Sequence, residues 1–271
     1  MAFAWPDSQE QTAMEMKPEV QRYRNLEALS YAAAEFTCRL AEECMERYGA
    51  FTIALSGGNT PRPIYEALAR PPFDTRMPWR DIHLFWGDER CVPSDHPDSN
   101  FAMAFRTLIS KVPVPSQNVH RIPTELNPPE DAAEAYEKIL GEFFGSFGKL
   151  ERYSHASGGI EPFPSFDLIL LGVGKDGHTA SLFPGNQALE EKKRWVAVVR
   201  GPYGSPPVPR ITLTLPVINR AECVLFLVSG VGKREVIRSI LKDLDPATRS
   251  YPAARVSPVG RLVWLIDEGA A

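Results

Sequence analysis

Residues 166–178 read Phe166-Asp167-Leu168-Ile169-Leu170-Leu171-Gly172-Val173-Gly174-Lys175-Asp176-Gly177-His178. The run from Phe166 to Leu171 is nearly all apolar and too short for a buried helix, as in a strand covered on both faces. A glycine-rich turn follows at once. Such a strand belongs to a parallel sheet enclosed by helices, and the segments around it agree. Upstream, Phe51 to Leu55 is a second apolar run, and Ile82 to Trp86 a third. Downstream lie strand candidates at Trp195–Val199, Ile211–Leu215, Cys223–Ser229 and Leu262–Ile266.

Helical patterns fall between them. Leu26, Leu29, Ala33, Phe36, Leu40 and Cys44 share one face of a helix that ends near Gly49. Ile64 and Leu68 mark a helix after Pro61, with Thr60 as its cap. Asn100 to Ile109 and Ala132 to Phe147 read as two more. Residues 111–129 carry five prolines and read as an extended connection. Residues 148–165 are rich in Gly, Ser and Pro and read as a loop or insertion. The segment between Arg200 and Arg210, with four prolines and two glycines, is also a loop. Strands alternating with helices predict an α/β fold with a mainly parallel twisted sheet flanked by helices. Residues 1–24 are polar and aperiodic, a flexible N-terminal arm, and residues 25–268 form the domain.

Composition narrows the partners. Lys plus Arg is 30 and Asp plus Glu is 34, a formal charge of −4. That balance disfavours nucleic acid as a partner, and any anion site must be built locally. Cys38, Cys44, Cys91 and Cys223 form no C-x-x-C pair, and no His/Cys set has metal-ligand spacing. Free thiols, no signal-peptide pattern and no membrane-length apolar run predict a cytoplasmic chain.

The chemistry is expected in the loops at the carboxyl ends of the strands. Ser56-Gly57-Gly58-Asn59-Thr60-Pro61 follows a strand and opens a helix. Two glycines allow close backbone approach, and a helix start offers free N–H groups to a phosphate. The same loop also reads as a plain strand-to-helix turn, and it is not a Walker A loop. Gly172, Gly174 and Gly177 match G-x-G-x-x-G formally. Asp176 would stand where a pyrophosphate needs donors, and Pro184-Gly185 stops any long helix, so a dinucleotide fits poorly. The alternative is an acid/base pair: Asp176 orienting His178 as a general base toward water. A loop histidine with one structural hydrogen bond is the competing reading. Arg90, in Asp88-Glu89-Arg90, suits a bidentate phosphate contact or a local ion pair with its acidic neighbours. Lys233 after Gly230 and Gly232, and Arg210 before an alternating strand, are further cations for the same crevice.

Together these segments resemble the 6-phosphogluconolactonase family, within the larger group that includes glucosamine-6-phosphate isomerase. The carriers are Ala54–Pro61, Phe85–Pro93, Asp95–Asn100, Phe166–Gly172, Gly174–Pro184 and Arg210–Pro216, in that order. The resemblance spans roughly residues 26–268. It implies a single Rossmann-like α/β domain without a nucleotide, and hydrolysis of 6-phosphoglucono-1,5-lactone in the pentose phosphate pathway; no metal or other cofactor is expected, and the chain is expected to act as a monomer or small homo-oligomer. It implies that His178 activates water beside Asp176. It implies that Ser56, Gly57, Gly58, Arg90, Arg210 and Lys233 hold the phosphorylated sugar. The sister isomerase shares the Ser-Gly-Gly loop and the Asp-Gly-His turn but carries a Glu for ring opening where this chain has Phe183. That isomerase, and a non-catalytic sugar-phosphate sensor, are the alternatives.

Overall fold

The computed structural model describes residues 18–154, 160–242 and 251–271. Eleven strands are found among them: β1 (Glu19–Tyr23), β2 (Phe51–Leu55), β3 (Ile82–Trp86), β4 (Asp88–Arg90), β5 (Leu150–Ser154), β6 (Ile160–Pro164), β7 (Leu168–Leu171), β8 (Val196–Val199), β9 (Arg210–Leu213), β10 (Cys223–Val228) and β11 (Arg261–Asp267). The α-helices are α1 (Leu26–Tyr48), α2 (Arg62–Leu68), α3 (Phe73–Arg76), α4 (Asn100–Thr107), α5 (Pro129–Ser146), α6 (Leu215–Ile218) and α7 (Arg234–Leu241).

Six strands form one sheet in the order β1-β11-β10-β7-β2-β3, and every neighbouring pair is parallel. Strands β2, β7 and β10 are buried at every position, which is why their sequences are continuous apolar runs. The chain leaves β2 outward to β3, then returns to lay β7 on the other side of β2. This reversal opens a crevice beyond the carboxyl ends of β2 and β7. Register there is fixed by a buried polar anchor. The Asp167 carboxylate accepts from the Thr52 N–H (2.8 Å), the Thr52 hydroxyl (2.7 Å) and the Lys149 ammonium (2.6 Å). A one-residue slip of β2 would strip that buried carboxylate of both Thr52 donors, at a cost of about 1–3 kcal/mol.

Helix α1 starts as its sequence demands. Asn25 accepts from the Ala28 N–H, and Gly49 ends the helix at φ 70°, where a side chain is disfavoured. Its buried face includes Leu29, Ala33, Phe36 and Cys44.

Four expectations need correction. Within the arm expected over residues 1–24, Glu19–Tyr23 is an edge strand paired with β11; residues 1–17 lie outside the described residues. Edge pairing needs only backbone, so a polar strand gives no apolar signal. The 148–165 insertion contains the antiparallel pair β5–β6, with residues 155–159 outside the described set. Thr60 does not cap α2: Pro61 occupies the cap position and no side chain accepts there. Finally, Val196–Val199 and Arg210–Leu213 do not enter the parallel sheet. With β4 they form a separate antiparallel sheet, β4-β9-β8, against which α5 packs.

Candidate active site

The loop after β7 is shaped to present His178. The Gly174 N–H donates to the His178 carbonyl (2.8 Å), and the Gly177 N–H to the Gly174 carbonyl (3.1 Å). Gly177 sits at φ +78° against the Tyr251 ring, so its turn requires glycine. At Gly174 the requirement is space, because a Cβ there would collide with the His178 imidazole and the Asp176 carboxylate. The imidazole lies in that room with its Nδ1 2.5 Å from Asp176 Oδ1. Partial burial opposes the Asp176 charge, but the His178 charge and hydrogen bonds outweigh it and hold the carboxyl below the usual range. A carboxylate accepts only, so Nδ1 carries the proton in this bond, and in the neutral ring Nε2 keeps its lone pair. The His178 side chain is 30% exposed, enough for water to reach it.

The chain then reverses within two residues. Thr179 and Leu182 exchange backbone hydrogen bonds (3.4 and 2.9 Å), and Ala180 between them has φ +47°, an unfavourable value for a non-glycine residue. Side chains hold the turn in place. The Thr179 hydroxyl donates to the Gly172 carbonyl (2.9 Å), and the Ser181 hydroxyl donates to the buried Asp88 carboxylate (2.6 Å). The reversal brings Phe183 against the His178 ring, with centroids 4.4 Å apart.

Asp88 links this turn to the loop after β2. The Asn100 amide donates to the Asp88 carbonyl (2.8 Å), and a Cβ on Gly57 would strike the same Asn100 side chain. Gly57 is therefore needed for close approach. Gly58, at φ +99° with open space around it, is needed for conformation. Buried Tyr65 ties the loop from beneath, accepting from the Ser56 N–H (3.0 Å) and donating to the Ser56 carbonyl (2.8 Å).

Arg90 and Arg210 are directly opposite in the β4–β9 ladder. The ion pair envisaged between Arg90 and its acidic neighbours does not form. Glu89 is buried and spends both oxygens on four other donors: the N–H groups of Arg90, Asn100 and Phe101, and the Ser99 hydroxyl. Burial is the largest influence on its carboxyl and pushes the pKa up against those donors. Its carboxylate also closes the N-terminal end of α4, where negative charge is favoured. Arg90 instead donates to the Asp98 carbonyl (2.6 Å), and Arg210 to the Pro206 carbonyl (3.3 Å). Burial pulls the Arg210 pKa below its ordinary value; Asp88 opposes that and Arg90 adds to it. Ser56 Oγ, Arg90 Nε and Arg210 Nε are all buried without a hydrogen-bond partner among the described residues. Two neighbouring guanidiniums carrying unused donors fit a dianion such as a phosphate.

Lys233 reaches the site from the loop after β10. Burial lowers its pKa, Asp176 opposes the shift and Lys175 adds to it, so its ammonium lies within the field of the His178–Asp176 turn. That loop is fastened by Asp267, which accepts from the Ser229 hydroxyl (2.5 Å) and the Gly230 N–H (3.0 Å). All eight residues singled out in the sequence lie in segments that follow the carboxyl ends of β2, β3, β7 and β10 or, for Arg210, opposite Arg90 in the β4–β9 ladder. Among the described residues, no group of three or more His, Cys, Asp or Glu side chains is placed to hold a metal ion. Sequence reading missed Asn100 and Ser181, noted Phe183 only as the position where the isomerase carries its Glu, and treated Asp88 only as an ion-pair partner. Each lies inside a quoted motif, but nothing in residue type alone reveals that they touch one another.

Residues 24–264 match the family described as glucosamine-6-phosphate isomerases/6-phosphogluconolactonase. The chain is 46% identical over 235 residues to 6-phosphogluconolactonase of Synechocystis, covering 86% of this chain and 88% of that one. It is 39% identical over 257 residues to the chloroplastic 6-phosphogluconolactonase 3 of Arabidopsis thaliana, covering 95% and 75%. Its fold matches the crystal structure of 6-phosphogluconolactonase from Thermotoga maritima with a TM-score of 0.76 at 33% identity, covering 93% and 100%.

Proposed function

The chain belongs to the family of glucosamine-6-phosphate isomerases and 6-phosphogluconolactonases, and from that premise we propose that it hydrolyses 6-phosphoglucono-1,5-lactone to 6-phosphogluconate in the pentose phosphate pathway. The relatives named above are lactonases, which favours hydrolysis over aldose–ketose isomerisation. The observation that carries the mechanism is the His178–Asp176 pair at 2.5 Å, on a turn that excludes any Cβ at Gly174.

Asp176 fixes the imidazole with Nδ1 protonated, so Nε2 takes a proton from water as that water attacks the lactone carbonyl. The tetrahedral intermediate collapses by breaking the bond from C1 to the ring oxygen. His178 returns its proton to that oxygen, and the free carboxylic acid ionises. General-base help of this kind is typically worth about 10²–10⁴-fold. Arg90 and Arg210 hold the phosphate, with Ser56, Gly57 and Gly58 lining its approach and Lys233 adding positive charge beside the base. Binding a remote phosphate orients the reacting carbon, which is how such contacts accelerate chemistry.

Residues 25–268 act as one catalytic domain, and no metal or nucleotide is called for, because the lactone carbonyl is already electrophilic. The protein works as a monomer or small homo-oligomer in the cytoplasm, without nucleic acid or membrane. Four free cysteines suit a reducing compartment, and a net charge of −4 disfavours nucleic acid. The deciding experiment is lactone hydrolysis with the spontaneous rate subtracted. His178→Ala should lose at least about 10²-fold in kcat while still binding 6-phosphogluconate. Undiminished kcat would remove His178 from the role of base.

A further inference from the structure

Phe183 touches both halves of the site. It is 1% exposed. Its ring lies 4.4 Å from the His178 ring, tilted by 38°. The Arg210 guanidinium carbon stands 5.7 Å from its centroid, a cation–π distance. Tyr203, from the loop before β9, stacks on it at 5.1 Å and 21°. Phe183 is itself held from behind, because the reversed turn that delivers it is pinned through Ser181 to Asp88.

We propose that Phe183 is a positioning residue that sets the distance between the general base and the phosphate-binding arginine. This rests on the lactonase reading of the site. Three physical points support it. First, Asp176 fixes only one edge of the imidazole, and Asp176 is itself 52% exposed, so a second contact is needed to stop the ring from swinging. Phe183 supplies it, and it is rigid and buried. Second, among the described residues Arg210 has no carboxylate in an ion pair, so the negative face of an aromatic ring is the compensating contact that leaves its Nε free for a ligand. Third, one rigid ring touching both groups transmits no slack between them. An aliphatic side chain would fill the volume but would neither attract the guanidinium nor present a flat face to the imidazole.

The test uses the full-length protein with Phe183→Leu and Phe183→Tyr. Three quantities are read: kcat and KM on the lactone, Kd for inorganic phosphate by calorimetry, and the His178 imidazole NMR signals, assigned by their loss in His178→Ala. In Phe183→Leu, kcat should fall about ten- to hundredfold, since a misplaced catalytic group of about 1 Å costs on that order. Phosphate Kd should rise about threefold or more through loss of the cation–π contact. The imidazole signals should broaden or split. Phe183→Tyr keeps the ring, and the place beside its Cζ that a side chain on residue 204 would fill is left free by Gly204; it should keep kcat within about threefold. Should Phe183→Leu fail to fold, Phe183→Met, unbranched and adaptable, carries the same expectations. A residue that merely filled the core would lower thermal stability yet leave kcat per folded molecule and phosphate Kd within twofold, and that result overturns the proposal. If the parent protein turns over no lactone, the lactonase reading fails instead. Phosphate affinity and the imidazole signals then still decide the role of Phe183.

Discussion

Gly174→Ala isolates the geometry of the base from everything else in the fold. Gly174 is buried and its φ is not positive, so alanine suits the backbone. The added Cβ would lie inside contact distance of His178 Nδ1, His178 Cε1 and Asp176 Oδ1. No core side chain is among these neighbours. To regain ordinary van der Waals contact, near 3.4 Å or beyond, the imidazole must retreat by roughly 1 Å or more, and the carboxylate must follow or break the pair. Misplacement by about 1 Å costs on the order of 10²-fold in rate, or nearly 3 kcal/mol of transition-state stabilisation. Arg90 and Arg210 keep their own backbone pairing in the β4–β9 ladder, so the displacement falls mainly on the imidazole. The prediction is therefore a roughly hundredfold fall in kcat, with product and phosphate affinity within about twofold of the parent. Gly172→Ala is the control, because a Cβ there meets nothing within 4 Å. The assay is lactone hydrolysis at saturating substrate, corrected for spontaneous opening. A Gly174→Ala enzyme with parental kcat would show that the seat of the imidazole does not govern turnover.

Two further outcomes follow from the same structure. Arg210→Ala should weaken competitive inhibition by inorganic phosphate about ten- to hundredfold, the worth of one charge-assisted contact of about 1.5–3 kcal/mol; unchanged inhibition would make Arg210 purely structural. The second concerns pH. His120 is pushed down from its ordinary 6.5 to about 4, by burial first and then by the neighbouring His83. It therefore stays neutral in the fold while the unfolded chain protonates, so its stabilising contribution is complete above about pH 6.5 and is lost as pH falls toward 4. Urea unfolding should show a loss of order 2 kcal/mol between pH 7 and pH 4. His120→Phe should flatten that slope, and an equally steep slope in the variant would locate the pH dependence elsewhere.

The parallel sheet was legible because burial on both faces leaves an unbroken apolar signature, as in β7 and β10. Helix α1 was legible through its three-and-four spacing and Gly49. Strand β1 was not, since an edge strand needs only free backbone and Glu19-Val20-Gln21-Arg22-Tyr23 has no apolar face. The antiparallel sheet escaped for a different reason: direction is set by long-range pairing, and Ile211 or Val196 would suit either sheet. At the site, Asp176 and His178 were legible as a local pair two residues apart. Ser181, Asn100 and Asp88 were not, because their contacts join residues 93 and 12 positions apart along the chain. The ion pair considered between Arg90 and Glu89 failed for a reason invisible in sequence: the start of α4 claims that carboxylate first.

The strand at the sheet edge has a consequence in time rather than space. Glu19 to Tyr23 can pair only with Val263 to Asp267, and the Glu19–Arg261 contact closes a span of 242 residues. Closing so long a loop costs entropy that short-range contacts do not, although the cost grows only logarithmically with length. The β1–β11 register is therefore expected to form after the shorter-range pairing of β11 with β10. Asp267, at the end of β11, is also the residue that fastens the loop carrying Lys233. The earliest described strand in the chain and one of the cations at the crevice thus depend on the same late event. A folding intermediate lacking β11 would hold the His178 turn and both arginines yet have an unfastened Lys233 loop and a free first strand. Stopped-flow refolding should then show core fluorescence recovering before lactonase activity.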